Sequence, residues 1–183
     1  QAQTIPSLYR DLEQSYYNGD YAACLKLEKS FVEFAAQRID TLAANGYFYI
    51  GDAYLQSGKK DKAIQYFEKE IDLFEKLEMQ KTDSYSNSLS NLSYVYFEAG
   101  NLEQSEKILN KLIESDKANY GAASEIYVRT ILNAAETLLN FDRLADAEKL
   151  LKNTLKQQTK ESVNYGLLLF KLADLYSYQG QYT

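Results

Sequence analysis

A break that recurs along the chain restricts the fold more than any other feature. In "YLQSGKKDKAIQYFEK", Tyr54 to Lys69, Gly58 separates two stretches of helical character. "SYYNGDYAACLKLEK" (Ser15 to Lys29), "YFEAGNLEQSEKILNK" (Tyr96 to Lys111) and "LLNFDRLADAEKLLKN" (Leu138 to Asn153) repeat the pattern. Taking Gly19, Gly58, Gly100, Asp142 and Gly180 as one turn position gives spacings, by subtraction, of 39, 42, 42 and 38 residues. Such a period reads as one helical hairpin per repeat, each stacking on its neighbours to bury a face it cannot bury alone.

The other repeat positions agree. Seven residues before the turn stand the small residues Gly51, Ser93, Ala135 and Ala173, with Leu12 as the exception in the first repeat. Cys24, Ala63, Ser105 and Ala147 stand five after it, again small, as close helix crossings require. Four before it stand Tyr54, Tyr96, Leu138 and Tyr176, large enough to fill the core. Ile64, Phe67, Ile71 and Phe74 follow helical spacing. The pattern predicts first helices near 7–17, 42–56, 84–99, 121–140 and 163–179, and second helices near 20–37, 60–79, 102–116 and 144–158. Thr82, Asp83 and Ser84 read as a helix start, because their side chains accept from free amide groups.

Composition narrows function. The 183 residues are 45% hydrophobic and 25% charged, and the single proline, Pro6, and eight glycines mark no internal linker. One array is expected over 1–183, with repeats at about 5–40, 41–81, 82–119, 120–160 and a partial one at 161–183. A net charge of −6 gives no basic footprint for nucleic acid or anionic lipid. The longest purely apolar patch, Leu167 to Phe170, falls far short of the ~18 residues of a membrane span, so no membrane insertion is expected. With no histidine, an imidazole-based triad cannot be assembled, and Cys24, the only thiol, forms neither an intramolecular disulfide nor a thiolate zinc site. Cys24 reads as a small buried packing residue. No phosphate-cradling glycine pattern appears, and no catalytic, cofactor-binding or metal-binding residue is assigned.

Gly51, Tyr54, Gly58, Ala63 and Phe67, and their recurrence over nearly the whole chain, resemble the tetratricopeptide repeats. The family's proline at the repeat end is absent, and periods near 42 exceed its usual length, as in the longer repeats of kinesin light chain and bacterial arrays. The resemblance implies an all-α, right-handed superhelical solenoid of antiparallel helix pairs, truncated within the fifth repeat.

The resemblance also implies an inner groove lined by the first helix of each hairpin. Ten residues before the turn it places Tyr9, Phe48, Ser90, Leu132 and Phe170; six before, Glu13, Asp52, Tyr94, Glu136 and Asp174; two before, Tyr17, Gln56, Glu98, Asn140 and Tyr178. Such a groove is aromatic and negative, with Arg129 as its notable positive group. The implied function is a scaffold that binds a basic or amphipathic segment of a protein or peptide, with tyrosine and phenylalanine as anchors. Some family members grip a terminal carboxylate instead. Asn91, Arg129 and Asn133 occupy three of the positions for that clamp, but Phe48 and Asp52 replace its first lysine and asparagine, and Asp52 would repel the ligand.

The ends of the sequence carry further expectations. "LADLYSYQGQYT" stops where a second helix is due, which reads as a cut within a longer array. Leu168, Leu169, Leu172 and Leu175 then predict self-association through the C-terminal end. The alternative function is a regulatory segment making intramolecular contacts with a downstream effector, which in similar bacterial proteins is a kinase, a helix-turn-helix regulator or a CHAT-type protease. "QAQTIPS" lacks an initiator Met and reads as the residue of signal-peptide cleavage or as a mere chain boundary, which slightly favours an extracytoplasmic location over the cytoplasm.

Overall fold

The computed structural model describes residues 5–178 and 180, and among them it contains nine α-helices and no strand. They are α1 (Ile5–Tyr17), α2 (Tyr21–Ala35), α3 (Thr41–Gln56), α4 (Lys60–Lys76), α5 (Asp83–Glu98), α6 (Leu102–Tyr120), α7 (Glu125–Asn140), α8 (Leu144–Leu155) and α9 (Val163–Tyr178). The chain divides into two compact units between Ile108 and Leu109, inside α6. In unit 1, α1 packs on α2 and α3, α2 on α3, α3 on α4, and α4 on α5. In unit 2, α7 packs on α8 and α9, and α8 on α9. None of the helices is long and apolar enough to cross a membrane.

The turn position has the expected backbone. Gly19, Gly58, Gly100 and Gly180 have φ between 68° and 77°, and Asp142 adopts the same left-handed conformation at 57°. At Gly58 the hairpin is closed by Gly58 N–H donating to Leu55 O and Lys59 N–H to Tyr54 O, both at 2.9 Å. These bonds satisfy carbonyls that the end of α3 would otherwise leave open.

Two small-residue columns meet across each turn. Leu12 and Cys24, Ser93 and Ser105, and Ala135 and Ala147 are buried pairs 12 residues apart, as are Gly51 and Ala63. Cys24 Sγ donates to Leu12 O at 3.7 Å, and burial pushes its thiol up to about 11, so the thiol is an inert packing group as expected. Ser93 and Ser105 each donate a hydroxyl to the other's backbone carbonyl, at 3.0 and 2.7 Å. Ala173, the last member of its column, is instead exposed, on the side of α9 away from Leu168, Leu172 and Leu175. Those three leucines are buried in the unit 2 core with Ile131, Leu138 and Leu151. Of the four leucines expected to expose apolar surface, Leu169 alone does so, beside Leu167 and Phe170.

Several helix ends differ from expectation for local reasons. α6 runs to Tyr120 rather than 116, and stops where Gly121 takes φ 84°. α7 starts at Glu125 rather than 121, because Ser124 Oγ accepts from Tyr127 N–H at 3.1 Å and fixes the cap. α4 ends at Lys76 rather than 79, before Glu78 at φ 56°. Thr82 caps α5 as read from the sequence, accepting from Tyr85 N–H at 3.3 Å.

A second set of links joins successive hairpins. The core tyrosines Tyr54, Tyr96 and Tyr176 each donate a hydroxyl to a glutamate on the preceding second helix: Glu28 at 2.5 Å, Glu68 at 2.5 Å and Glu148 at 2.6 Å. Glu28 also accepts from Tyr66 at 2.5 Å, and the Tyr54 and Tyr66 rings stack at 5.7 Å. Burial first, and then the neighbouring carboxylate, pushes the Tyr54 and Tyr96 hydroxyls up to about 12.

Gly46 shows how tightly α2 and α3 approach. A Cβ at this position would lie 1.9 Å from Cζ of the fully buried Phe31 ring. Alanine in a helix interior is favoured over glycine by about 1 kcal/mol, but overpacking of this kind costs ~1–3 kcal/mol, and the overlap here is severe. Gly46→Ala is therefore expected to lower the midpoint of chemical denaturation, and Phe31→Leu in the same chain to recover part of the loss. Unchanged stability in Gly46→Ala would contradict this packing.

Candidate functional site: an aromatic and amide-lined pocket

Helical geometry places stripes of polar and aromatic residues on the first helices of unit 1. Tyr9, Glu13 and Tyr17 follow one another at four-residue intervals on α1. Asn45, Phe48, Asp52 and Gln56 form a stripe on α3, and Asn87, Ser90, Asn91, Tyr94 and Glu98 one on α5. α3 and α5 wall a pocket of about 540 Å³, to which α1 contributes Tyr17 and α4 contributes Glu70 and Phe74. Tyr17, Phe48 and Ser90 come together there with Asn45, Tyr49, Asn87, Ser88 and Asn91.

The rings form a connected cluster. Tyr16 stacks on Tyr49 at 4.8 Å, and Tyr17 and Phe48 meet Tyr49 edge-on at 6.0 and 5.8 Å. Tyr9 and Tyr49 both donate their hydroxyls to Glu13, at 3.2 and 3.1 Å. Burial, and then the Asp52 charge beside it, raises the Tyr16 hydroxyl far above its ordinary range. Part of the acidic column thus accepts hydrogen bonds from this chain's own side chains. Gln56 Nε2 donates to Asp52 at 3.3 Å, and Lys60 pairs with Glu98 at 3.2 Å. Tyr17, 73% exposed, and Tyr94, 54% exposed, remain open to solvent.

The column members in unit 2 stand in a different electrostatic setting. Glu136 on α7 forms an ion pair with Lys171 on α9, a lysine that sequence reasoning did not single out. Arg129, Asn140 and Asp174 are exposed, Phe170 is 68% exposed, and Leu132 packs against the unit 2 core. Tyr178 ends α9, and its side chain lies outside the described residues.

Glu70 is the residue that sequence reasoning missed. It is 4% exposed, and Oε2 has no hydrogen-bond partner among the described residues. Its signal was positional, since seven residues after the small member of each second helix stand Phe31, Glu70, Leu112 and Thr154, all buried. A carboxyl therefore fills a core place held elsewhere by apolar groups or a threonine. Ser88 Oγ lies 2.7 Å from Glu70 Oε1 and 2.9 Å from the Ser84 carbonyl oxygen, with one hydroxyl proton for the two acceptors. Burial pushes this carboxyl from 4.5 up to about 8, against the opposing hydrogen bond with Ser88.

Residues 44–77 and 86–119 each match a model of the tetratricopeptide repeat, so these two segments are similar to repeats of this family. Outer dynein arm-docking complex subunit 4 of Danio rerio is 31% identical over 87 residues, which are 48% of this chain and 18% of that protein. Secreted RxLR effector protein RXLR-C07 of Plasmopara halstedii is 29% identical over 111 residues, 61% of this chain and 34% of that protein. The aligned segments thus span well under two thirds of these relatives' own length. A solved kinesin light chain from Podosopora anserina with nearly identical TPR-like repeats superposes with a TM-score of 0.73 at 16% identity, covering 97% of this chain and 87% of that one. At that identity the likeness speaks for the fold alone.

The Glu70 geometry fixes a pH dependence. A carboxyl that holds its proton more tightly when folded contributes stability that is complete below about pH 4.5 and is lost as the pH rises through 8. Glu70→Gln keeps the volume and removes the ionisation. It is expected to be more stable than the parent above pH 8 by about 1–3 kcal/mol, the range for a poorly satisfied buried polar group. Below pH 4.5 the gain should disappear. Denaturation midpoints across this range check it, and a pH-independent difference would contradict it.

Proposed function

We propose that this tetratricopeptide-repeat chain is a protein-interaction scaffold, and that α1, α3 and α5 of unit 1 bind a basic or amphipathic segment of a partner. Repeats of this kind serve as protein-interaction scaffolds, which supports the broad reading. The observation that carries the finer one is the pocket, which gathers Tyr17, Phe48 and Ser90 from three different helices. Rings with few rotatable bonds lose little entropy when a ligand packs on them, and their faces attract cations. Glu13 and Asp52 sit beside the same rings and bias the surface towards positive partners.

Binding should weaken with salt, since exposed charges are screened beyond about 8 Å at physiological ionic strength. Asp52→Lys is expected mainly to slow association and flatten the salt dependence, whereas Tyr94→Ala should mainly speed dissociation, by about tenfold for an anchor worth ~1.4 kcal/mol. Titration of a peptide array differing in net charge, with kinetics at two salt concentrations, checks both. Equal binding of acidic and basic peptides would overturn the reading.

A further inference from the structure

We infer that the unit 1 pocket is a socket for a primary ammonium group, the tip of a lysine side chain in the bound segment, with Glu70 as its counter-charge. This rests on the groove reading above and deepens it. Glu70 occupies a column otherwise filled by Phe31, Leu112 and Thr154, and the fold makes no use of Oε2. Buried polar groups are nearly always paired, so an orphan oxygen on a side chain that lines a pocket calls for a donor from outside the chain.

The geometry selects the donor. Oε1 is already engaged by Ser88, which leaves one oxygen. A guanidinium presents a two-pronged fork best matched by both carboxylate oxygens, whereas an ammonium is a point charge that one oxygen can meet. Its other protons have acceptors in the side-chain carbonyls of Asn45, Asn87 and Asn91, and its methylene stem can lie along Tyr17, Phe48 and Tyr49. Among the described residues, no lysine or arginine lines the pocket to compete, and Tyr17 and Tyr49 are the only other titratable ones lining it. Oε2 is shielded from water, so the ligand reaches it through a partial turn of the carboxyl about its last torsion, whose profile is broad.

Proton balance supplies a signature. Burial with one oxygen unmatched disfavours the charge, so the unliganded carboxyl is taken in its acid form. An arriving ammonium keeps its own protons, Glu70 gives its proton to the solvent, and the resulting pair is carboxylate with ammonium. A neutral carboxamide ligand releases no proton.

The probes are an acetylated peptide of alternating Leu and Lys, the same peptide with each Lys in turn replaced by norleucine or Gln, and n-butylammonium for the free amine. Calorimetry of wild type and Glu70→Gln in two buffers of different ionisation enthalpy, near pH 6.5, measures affinity and protons together. The expected result has one lysine whose norleucine replacement weakens binding about tenfold or more, a similar loss in Glu70→Gln, no further loss when both are combined, and release of about one proton per peptide. If the peptide binds with Glu70→Gln unchanged, the socket is overturned and the groove reading stands. If the Gln peptide binds as tightly and no proton leaves, the ligand class is wrong. If no basic peptide binds, the groove reading fails. The socket then survives only if n-butylammonium shifts the Asn45, Asn87 and Asn91 side-chain resonances in wild type and not in Glu70→Gln, and falls otherwise.

Discussion

The close approach of two helices across each turn is the constraint on which the rest depends. A left-handed residue at Gly58 or Gly100 reverses the chain within a few residues, so the two helices must pack on each other at once. Their contact is set by residues 12 apart, and the space there admits little. At Ser93 and Ser105 the helices are near enough for each hydroxyl to reach the other backbone. At Gly51 an added Cβ would lie 3.1 Å from the Phe67 ring. Leu12 is tolerated because its partner Cys24 is small and its thiol can face the Leu12 carbonyl.

Links between hairpins are of another kind. Tyr54, Tyr96 and Tyr176 put apolar rings into the packing and carry their hydroxyls out to Glu28, Glu68 and Glu148. A hydrogen bond to a charged group contributes about 1.5–3 kcal/mol when well shielded, less at half-exposed sites such as these. The abundance of both tyrosine and carboxylate thus has a structural share. The repeat with Leu138 in the tyrosine position relies on apolar burial alone. This division of labour bears directly on the binding surface, because a carboxylate holding two tyrosine hydroxyls, such as Glu13, is more firmly placed than one on a free side chain.

Two buried acids show how context decides what a carboxyl does. Asp116 accepts from Thr130 Oγ1 at 2.6 Å and ties α6 to α7 in unit 2. Glu70 shares a single serine proton with a backbone carbonyl and leaves an oxygen unmatched on a side chain that lines a pocket. Structural use exhausts the first and leaves the second available. Protein interiors seldom keep such a group without a reason, since replacing it by a leucine, as the next repeat does at Leu112, would bury apolar surface instead.

The sequence by itself determined the helix pairs, their turns and their crossing residues. These depend on local backbone conformation and on side-chain size at fixed spacing, both of which can be read residue by residue. The position of Thr82 as a cap was legible for the same reason. The extension of α6 to Tyr120 was not, because Gly121 ends one helix while Ser124 starts the next, and the pattern alone does not say which residue between them wins. Only the tertiary structure decided which carboxylates are engaged: Glu13 with Tyr9 and Tyr49, Glu28 with Tyr54 and Tyr66, and Glu136 with Lys171. Each of these pairings except Tyr9 with Glu13 joins residues at least 26 positions apart. Glu70 lay in plain view on the apolar stripe of α4. Its burial and its unmatched oxygen exist only because α5 folds against that stripe, and a one-dimensional pattern cannot show which polar groups the neighbouring helix will satisfy.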